Sequence, residues 1–306
     1  MRGACLDVFS SNNFVHCKED GFVTNTLEKP LNILISTSIC ARYLLSVADD
    51  VRHLSYIIRT HQTRVAQPSN MSPSALRDTL TAVPINLESN NELNRFIDII
   101  VHAFSTTPLT TGFIANIDST PPPYPSPLID SARRHKHFAQ GIIDSAESGA
   151  EIVQAGDWSA VALWESPDYK GKPFIDSKAK PGPLLGEWRT KVTAAKKKYL
   201  ASPTDPNEIR PFYHFSFLAR NTAVPKVAGS IAAVIEPYLQ RARDDNAPAW
   251  VEATTKQAAD IYAFYGFRLV ETITIGKGQV DAAGWPSEGG EGITAYALIY
   301  DTHLKD

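Results

Sequence analysis

The sequence predicts a mixed α/β fold. Three observations carry this. Residues 212–253 read as strand, glycine-containing turn, helix and strand, which is a βαβ crossover. Residues 151–155 and 160–164 are two short strands joined by Gly156-Asp157, a hairpin signal. Residues 269–275 alternate as a strand, and residues 294–300 supply a last one.

Taken in order, residues 1–70 are a weakly patterned extension. Their main apolar run, 31–47, is shorter than the ~20 residues of a membrane span and contains Arg42. It is not flanked like a signal peptide. It reads as a docked helix or as a disordered extension. Cys5, Cys17 and Cys40 all lie here and match no zinc spacing. Three thiols outside the patterned region suit a reducing, cytoplasmic setting. Residues 67–74 are polar and proline-containing, as a linker would be, and Met71-Ser-Pro-Ser resembles a domain's own beginning.

The patterned domain covers 80–302. Residues 83–87 form a first short strand. Residues 91–105 place Leu93, Phe96, Ile97, Ile100, Val101 and Phe104 at helical spacing, with Asn90 or Asn91 as cap. The Pro- and Thr-rich stretch 106–127 is expected to be a loop near the substrate entrance. A helix over 128–149 buries Phe138, Ile142 and Ile143, and turns Arg133-Arg-His-Lys-His137 to solvent. His135 and His137 stand two apart, face different sides of a helix and do not share a metal. Trp164 ends the second hairpin strand and either packs on substrate or fills the core.

An insertion, 166–210, follows. Its first part, 168–182, is Lys-, Gly- and Pro-rich loop. Its helix, 183–200, buries Leu184, Leu185, Trp188, Val192 and Tyr199 and is a candidate lid. The lysines of its last turn, Lys196 to Lys198, suit the helix dipole and are expected to be solvated.

The turn Val224-Pro-Lys-Val-Ala-Gly-Ser230 then leads from a strand end into a helix with Ile231, Val234, Ile235, Tyr238, Leu239 and Ala242 on one face. The first N–H groups of that helix lack intrahelical partners and lie at the positive end of its dipole. Gly229 removes a side chain from their path and Lys226 adds charge, which suits a pyrophosphate. A strand over 249–253 precedes a helix that Thr254 or Thr255 can cap and Gly266 can close. The loop 276–292 is long and glycine-rich, so Trp285 and Glu288 are candidate acceptor contacts.

Two of these stretches resemble the acetyl-CoA-dependent N-acetyltransferases of the GNAT superfamily. Lys226-Val-Ala-Gly229-Ser-Ile231 is similar to the family's pyrophosphate turn, and Tyr262-Ala-Phe-Tyr-Gly266-Phe267 to its tyrosine segment. Ser159 to Pro167, Pro248 to Thr254 and the Glu236-Pro237 pair most resemble puromycin-type acetyltransferases. Four positions depart from the pattern: Lys226 replaces Gln or Arg, Ile231 a Gly or Ala, Ala223 a Pro and Thr255 an Asn. The resemblance implies the GNAT fold, a mostly antiparallel sheet flanked by helices, with one parallel pair splayed around CoA. It implies that Tyr262 protonates the departing thiolate. It implies cofactor contacts at Ala219, Arg220, Asn221, Lys226, Val227, Ala228, Gly229, Ser230 and Ile231.

Glu252, near the C-terminal end of its strand, would accept the amine's proton or hold its ammonium, unless it merely decorates the strand. A backbone N–H between Ala219 and Asn221 would hold the oxyanion. The net charge of −3 gives no basic field for nucleic acid. The expected activity is acetyl transfer to the amine of a small molecule in a ternary complex, with no metal. The alternatives are a degenerate domain that only binds CoA or a metabolite, and transfer to a hydroxyl or peptide amine.

Overall fold

The computed structural model describes residues 80–172 and 181–303. The expectations for the extension 1–70, and for the loop segment 173–180, lie outside the described residues.

The described elements run in this order: β1 (Val83–Pro84), α1 (Asn90–Phe104), α2 (Pro108–Asp118), α3 (Ser131–Glu147), β2 (Glu151–Ala155), β3 (Ala160–Glu165), α4 (Pro183–Tyr199), β4 (Tyr213–Arg220), α5 (Ser230–Asp244), β5 (Ala249–Ala253), α6 (Lys256–Phe264), β6 (Arg268–Ile275) and β7 (Ile293–Tyr300). They build one seven-stranded sheet in the order β1-β2-β3-β4-β5-β7-β6. Every neighbouring pair is antiparallel except β4 with β5. That parallel pair is joined through α5, the crossover expected from residues 212–253. The result is the mixed, mostly antiparallel arrangement flanked by helices that the resemblance implies.

The caps explain several boundaries. The Asp130 side chain accepts the Arg133 N–H at 2.7 Å and starts α3. Thr255 accepts the Ala258 N–H at 3.1 Å and starts α6. Gly266, at φ +89°, ends α6 in the left-handed conformation. The N-cap of α1 is Ser89, just ahead of the two expected asparagines, Asn90 and Asn91, and it makes no side-chain cap bond.

One element was hidden by composition. Residues 108–118 are helical, not loop. Pro108 sits in the first turn, where its missing N–H costs nothing. Leu109, Phe113 and Ile114 then supply a buried face despite the flanking threonines.

The core lies on both faces of the sheet. On one face α5 and α6 pack over Trp164, Tyr213, Phe215 and Val251. On the other face α1 and α3 cover Ile152, Val161, Leu163 and Phe217. A third cluster joins α2 and α4 to β5, β6 and β7 through Phe113, Leu184, Trp188, Trp250 and Ile299.

A β-bulge in β4 has functional weight. Trp164 pairs with Phe215 and Leu163 pairs with Phe217, so Ser216 has no opposite number. Strict alternation would send Phe215 and Phe217 to the same face. The extra residue sends Phe215 to the α5 side and Phe217 to the α1 and α3 side.

Candidate active site

β4 and β5 part almost as soon as they meet. Their parallel register comprises Tyr213 with Ala249 and His214 with Trp250. Beyond these residues the strands diverge around a cleft. The Asn221 N–H donates to the Ser159 carbonyl at 3.0 Å, toward β3. The strand alternates, so the Ala219 N–H points the same way and those of Leu218 and Arg220 point into the cleft. The Tyr213 N–H, before the bulge, faces the β5 side and donates to the Pro248 carbonyl at 2.8 Å. The bulge at Ser216 is what moves the cleft-facing donors onto even-numbered residues. Of the stretch from Ala219 to Asn221, where an oxyanion donor is expected, Arg220 alone turns its N–H to the cleft; Leu218 does so one turn of the pleat earlier, and those of Ala219 and Asn221 face β3.

Four ionisable side chains meet where the strands part. His214 is buried, with Nδ1 2.8 Å from Glu165 Oε2 and Nε2 2.9 Å from Glu252 Oε2. A carboxylate on each ring nitrogen calls for two N–H donors, which the imidazolium supplies. Ser216 Oγ donates to the other Glu165 oxygen at 2.9 Å. Trp250 Nε1 donates to Glu252 Oε1 at 2.6 Å, and Lys196 Nζ lies 3.1 Å from the same oxygen.

Burial would push the Glu252 carboxyl up. The charges of Lys196 and His214, with hydrogen bonds from His214 and Trp250, outweigh it and hold the group well below the usual carboxylate range. Burial and the Lys196 charge would push the His214 ring down. The charges of Glu252 and Glu165 outweigh both, so its pKa is raised.

This gives a pH signature. A raised histidine stabilises the fold fully below its unfolded pKa of about 6.5, and that contribution disappears as pH rises through the folded value. The depressed Glu252 contributes above its unfolded pKa of about 4.3 and loses its contribution as pH falls. Stability from this network is therefore greatest between those limits. Thermal melts of the full chain are expected to decline on the alkaline side through the His214 transition, and His214→Asn is expected to remove that part of the decline.

Lys196, His214, Ser216 and Glu252 form part of the lining of a cavity of about 150 Å³. From the sheet come His214, Ser216, Phe217, Leu218, Glu252 and Ala253. From α4 come Trp188, Val192 and Lys196, a stripe at i, i+4 and i+8. Tyr262 reaches the cavity from α6, its ring edge-on to Phe215 (5.5 Å) and Phe267 (5.8 Å). Burial, and then the nearby Glu252 charge, push its hydroxyl pKa up.

The glycine turn stands at the N-terminus of α5. Gly229 has φ +83°, and a Cβ built there would meet no atom within 4 Å. The turn is exposed from Pro225 to Gly229. It is braced from beneath by the β2–β3 hairpin: buried Ser159 accepts the Val227 N–H at 3.0 Å, and Ser230 Oγ lies 3.3 Å from Ser159 Oγ. By position, the N–H groups of Gly229, Ile231 and Ala232 have no intrahelical acceptor. The turn is thus an open, braced helix N-terminus, the kind of position that favours an anion. Ser230 offers neither group to a ligand, because its N–H donates to the Val227 carbonyl at 3.2 Å and its hydroxyl is turned inward to Ser159, and Ile231 packs against the core.

The structure brings Tyr262 and Glu252 to one cavity and places the turn, with Lys226, Val227, Ala228 and Gly229, on the adjoining crossover. It does not bring Trp164 there. Trp164 has no exposed surface, stacks between Phe215 (3.8 Å) and Tyr238 (4.8 Å), and donates from Nε1 to the Val234 carbonyl. Of its two readings, the core one matches this placement. Trp285 is also away from the cavity, stacked on Tyr124 at 5.5 Å and packed near Ile114 and Ile129.

Three site residues escaped the sequence reading. Lys196 was expected to be solvated, yet its side chain is only 12 % exposed. Glu165 and His214 carried no motif, although a histidine near the start of a strand whose central residues are apolar or small was a usable signal. The Arg133 to His137 cluster is also not simply a solvated face. Arg133 pairs with Asp118 at 2.6 Å, and His137 is buried and lines the cavity.

No protein-family model matches the chain. An uncharacterized protein of Saccharomyces cerevisiae is 29% identical over 150 residues, which is 49% of this chain. The chain spans 60% and 57% of the lengths of two curated yeast proteins it matches. Among solved structures, a histone acetyltransferase and related acetyltransferase from Corynebacterium glutamicum is similar over 74% of this chain and 98% of its own, at 19% identity and a TM-score of 0.43. An agmatine N-acetyltransferase is similar over 73% of this chain and 99% of its own, at 14% identity and a TM-score of 0.45. Among the described residues, no helix is long and apolar enough to cross a membrane.

Proposed function

We propose that the chain is a GNAT-type N-acetyltransferase, nearest in residue pattern to the puromycin-type group, which moves the acetyl group of acetyl-CoA to the amine of a small molecule. The observation that carries this reading is the joint placement of Tyr262 and Glu252 on one cavity at the β4–β5 splay, beside an open glycine turn at the start of α5.

In this reading the turn holds the pyrophosphate through backbone N–H groups, with Lys226 beside it. The pantetheine arm runs along the cleft edge of β4, where the Leu218 and Arg220 N–H groups point. The amine attacks the thioester carbonyl directly, so a C–N bond forms and the C–S bond breaks. A cleft-facing N–H of β4 holds the oxyanion while both bonds are partial.

Glu252 is a weak proton acceptor here, because three donors already engage it and its pKa is depressed. Its role is to fix His214 and Lys196 at the cavity wall. Tyr262 shuttles the proton instead. Its hydroxyl is protonated at neutral pH, and because burial and the Glu252 charge disfavour the tyrosinate, it passes its proton to the departing thiolate in step with receiving the one that the attacking nitrogen sheds. The balance is amine plus thioester to amide plus thiol.

Release of free thiol from acetyl-CoA by the full chain tests this. Release that depends on an added primary amine, with a matching acetyl mass gain on that amine, is the expected result. Acetyl-CoA binding without release to any amine would favour the binding-only alternative.

A further inference from the structure

The helices that cover the sheet contribute a mainly apolar wall to the cavity, in which Thr110, His137, Lys196 and Tyr262 are the polar members. Phe104, Leu109, Phe113, Phe138, Trp188 and Val192 come from four different helices. Phe113 and Trp188 meet edge to face at 6.3 Å, and Phe104 and Phe138 meet at 6.0 Å. A cavity of about 150 Å³ is large enough for a benzene-sized ring, and this apolar side of it is where such a ring would pack.

The charge pattern adds a second constraint. Among the described residues lining the cavity, Glu252 is the single acid, and Lys196 (3.1 Å) and His214 (2.9 Å) already pair with it. The remaining carboxylate of the network, Glu165, is occupied by His214 and Ser216. Two carboxylates thus face two cationic partners, with no surplus anion for a bound ammonium.

We propose that the acceptor is a primary monoamine carrying a flat apolar body, which enters as the free base, and that diamines and polyamines are rejected on charge. This rests on the acetyl-transfer reading and specifies its substrate class. An amine entering this wall sheds its charge, because desolvation disfavours the ammonium form. A second ammonium on the same molecule would be buried against aromatic edges without a counter-charge. The aromatic wall instead rewards a ring that can pack edge to face.

The test compares 2-phenylethylamine with 1,4-diaminobutane in amine-dependent thiol release by the full chain. The expected kcat/KM ratio is about 100-fold or more in favour of 2-phenylethylamine. Phe113→Asp, which places a carboxylate in the apolar wall, is expected to shrink that ratio at least about 10-fold. Calorimetric titration of 2-phenylethylamine into the unaltered chain gives a second readout that needs neither turnover nor a variant. Equal or preferred use of the diamine would overturn the monoamine proposal and leave acetyl transfer standing. Saturable binding of 2-phenylethylamine with no thiol release would sustain the monoamine site and count against acetyl transfer. Absence of both binding and release would defeat both.

Discussion

Tyr262→Phe is expected to lower kcat by about 100-fold or more, the usual scale for losing a positioned proton donor, while leaving acetyl-CoA affinity nearly unchanged. The substitution removes one oxygen and keeps the ring, so the edge-on contacts with Phe215 and Phe267 persist and the core around α6 is undisturbed. A loss confined to kcat identifies an interaction made only on the way to the transition state. The neighbouring Tyr265 is the natural control. It sits at the C-cap of α6, outside the cavity lining, and Tyr265→Phe should leave kcat unchanged. Steady-state rates with purified variants settle the matter, and unaltered turnover in Tyr262→Phe would remove this residue from the proton shuttle.

Glu252→Leu is expected to destabilise the fold by about 3–5 kcal/mol, because it strips the shared anion from buried cations. A matched exposed pair sets the scale. Lys196 and Lys198 stand on the same helix, and each lies 3.1 Å from a glutamate. The first pair is 12% and 14% exposed, the second 62% and 38%. Glu271→Leu, which breaks the exposed pair, is therefore expected to cost about 1 kcal/mol or less. Urea unfolding of both variants reads the difference directly. Equal costs would mean that the network around His214 is solvated and holds no buried charge.

Much of the fold could be read from local pattern. The crossover from β4 to β5, the hairpin β2–β3 and the helices α1, α3 and α4 all follow from periodicity that one element carries alone. The helix α2 did not, because threonine and proline dominated its neighbourhood and residues 109–115 are buried on all sides, which leaves no one-sided apolar periodicity to read. The site divides in the same way. Tyr262 and Gly229 lie in short contiguous motifs and were visible. The network of Glu165, Lys196, His214 and Glu252 comes from four separate elements, and only the sheet order brings them within hydrogen-bonding distance. Phe215 and Phe217 show the effect of one unpaired residue. The bulge at Ser216 reverses the alternation of β4, and a reading by twos cannot register it.

The central claim is that the turn at Gly229 holds acetyl-CoA. Calorimetric titration of acetyl-CoA into the full chain, repeated with Gly229→Trp and with Gly149→Trp, addresses it most directly. Both glycines have left-handed backbone, at φ +83° and +92°, and open space where a Cβ would project, so backbone strain is matched. The account predicts saturable binding that Gly229→Trp abolishes and Gly149→Trp leaves intact. Absence of binding in the unaltered chain, or binding that survives Gly229→Trp, would contradict it.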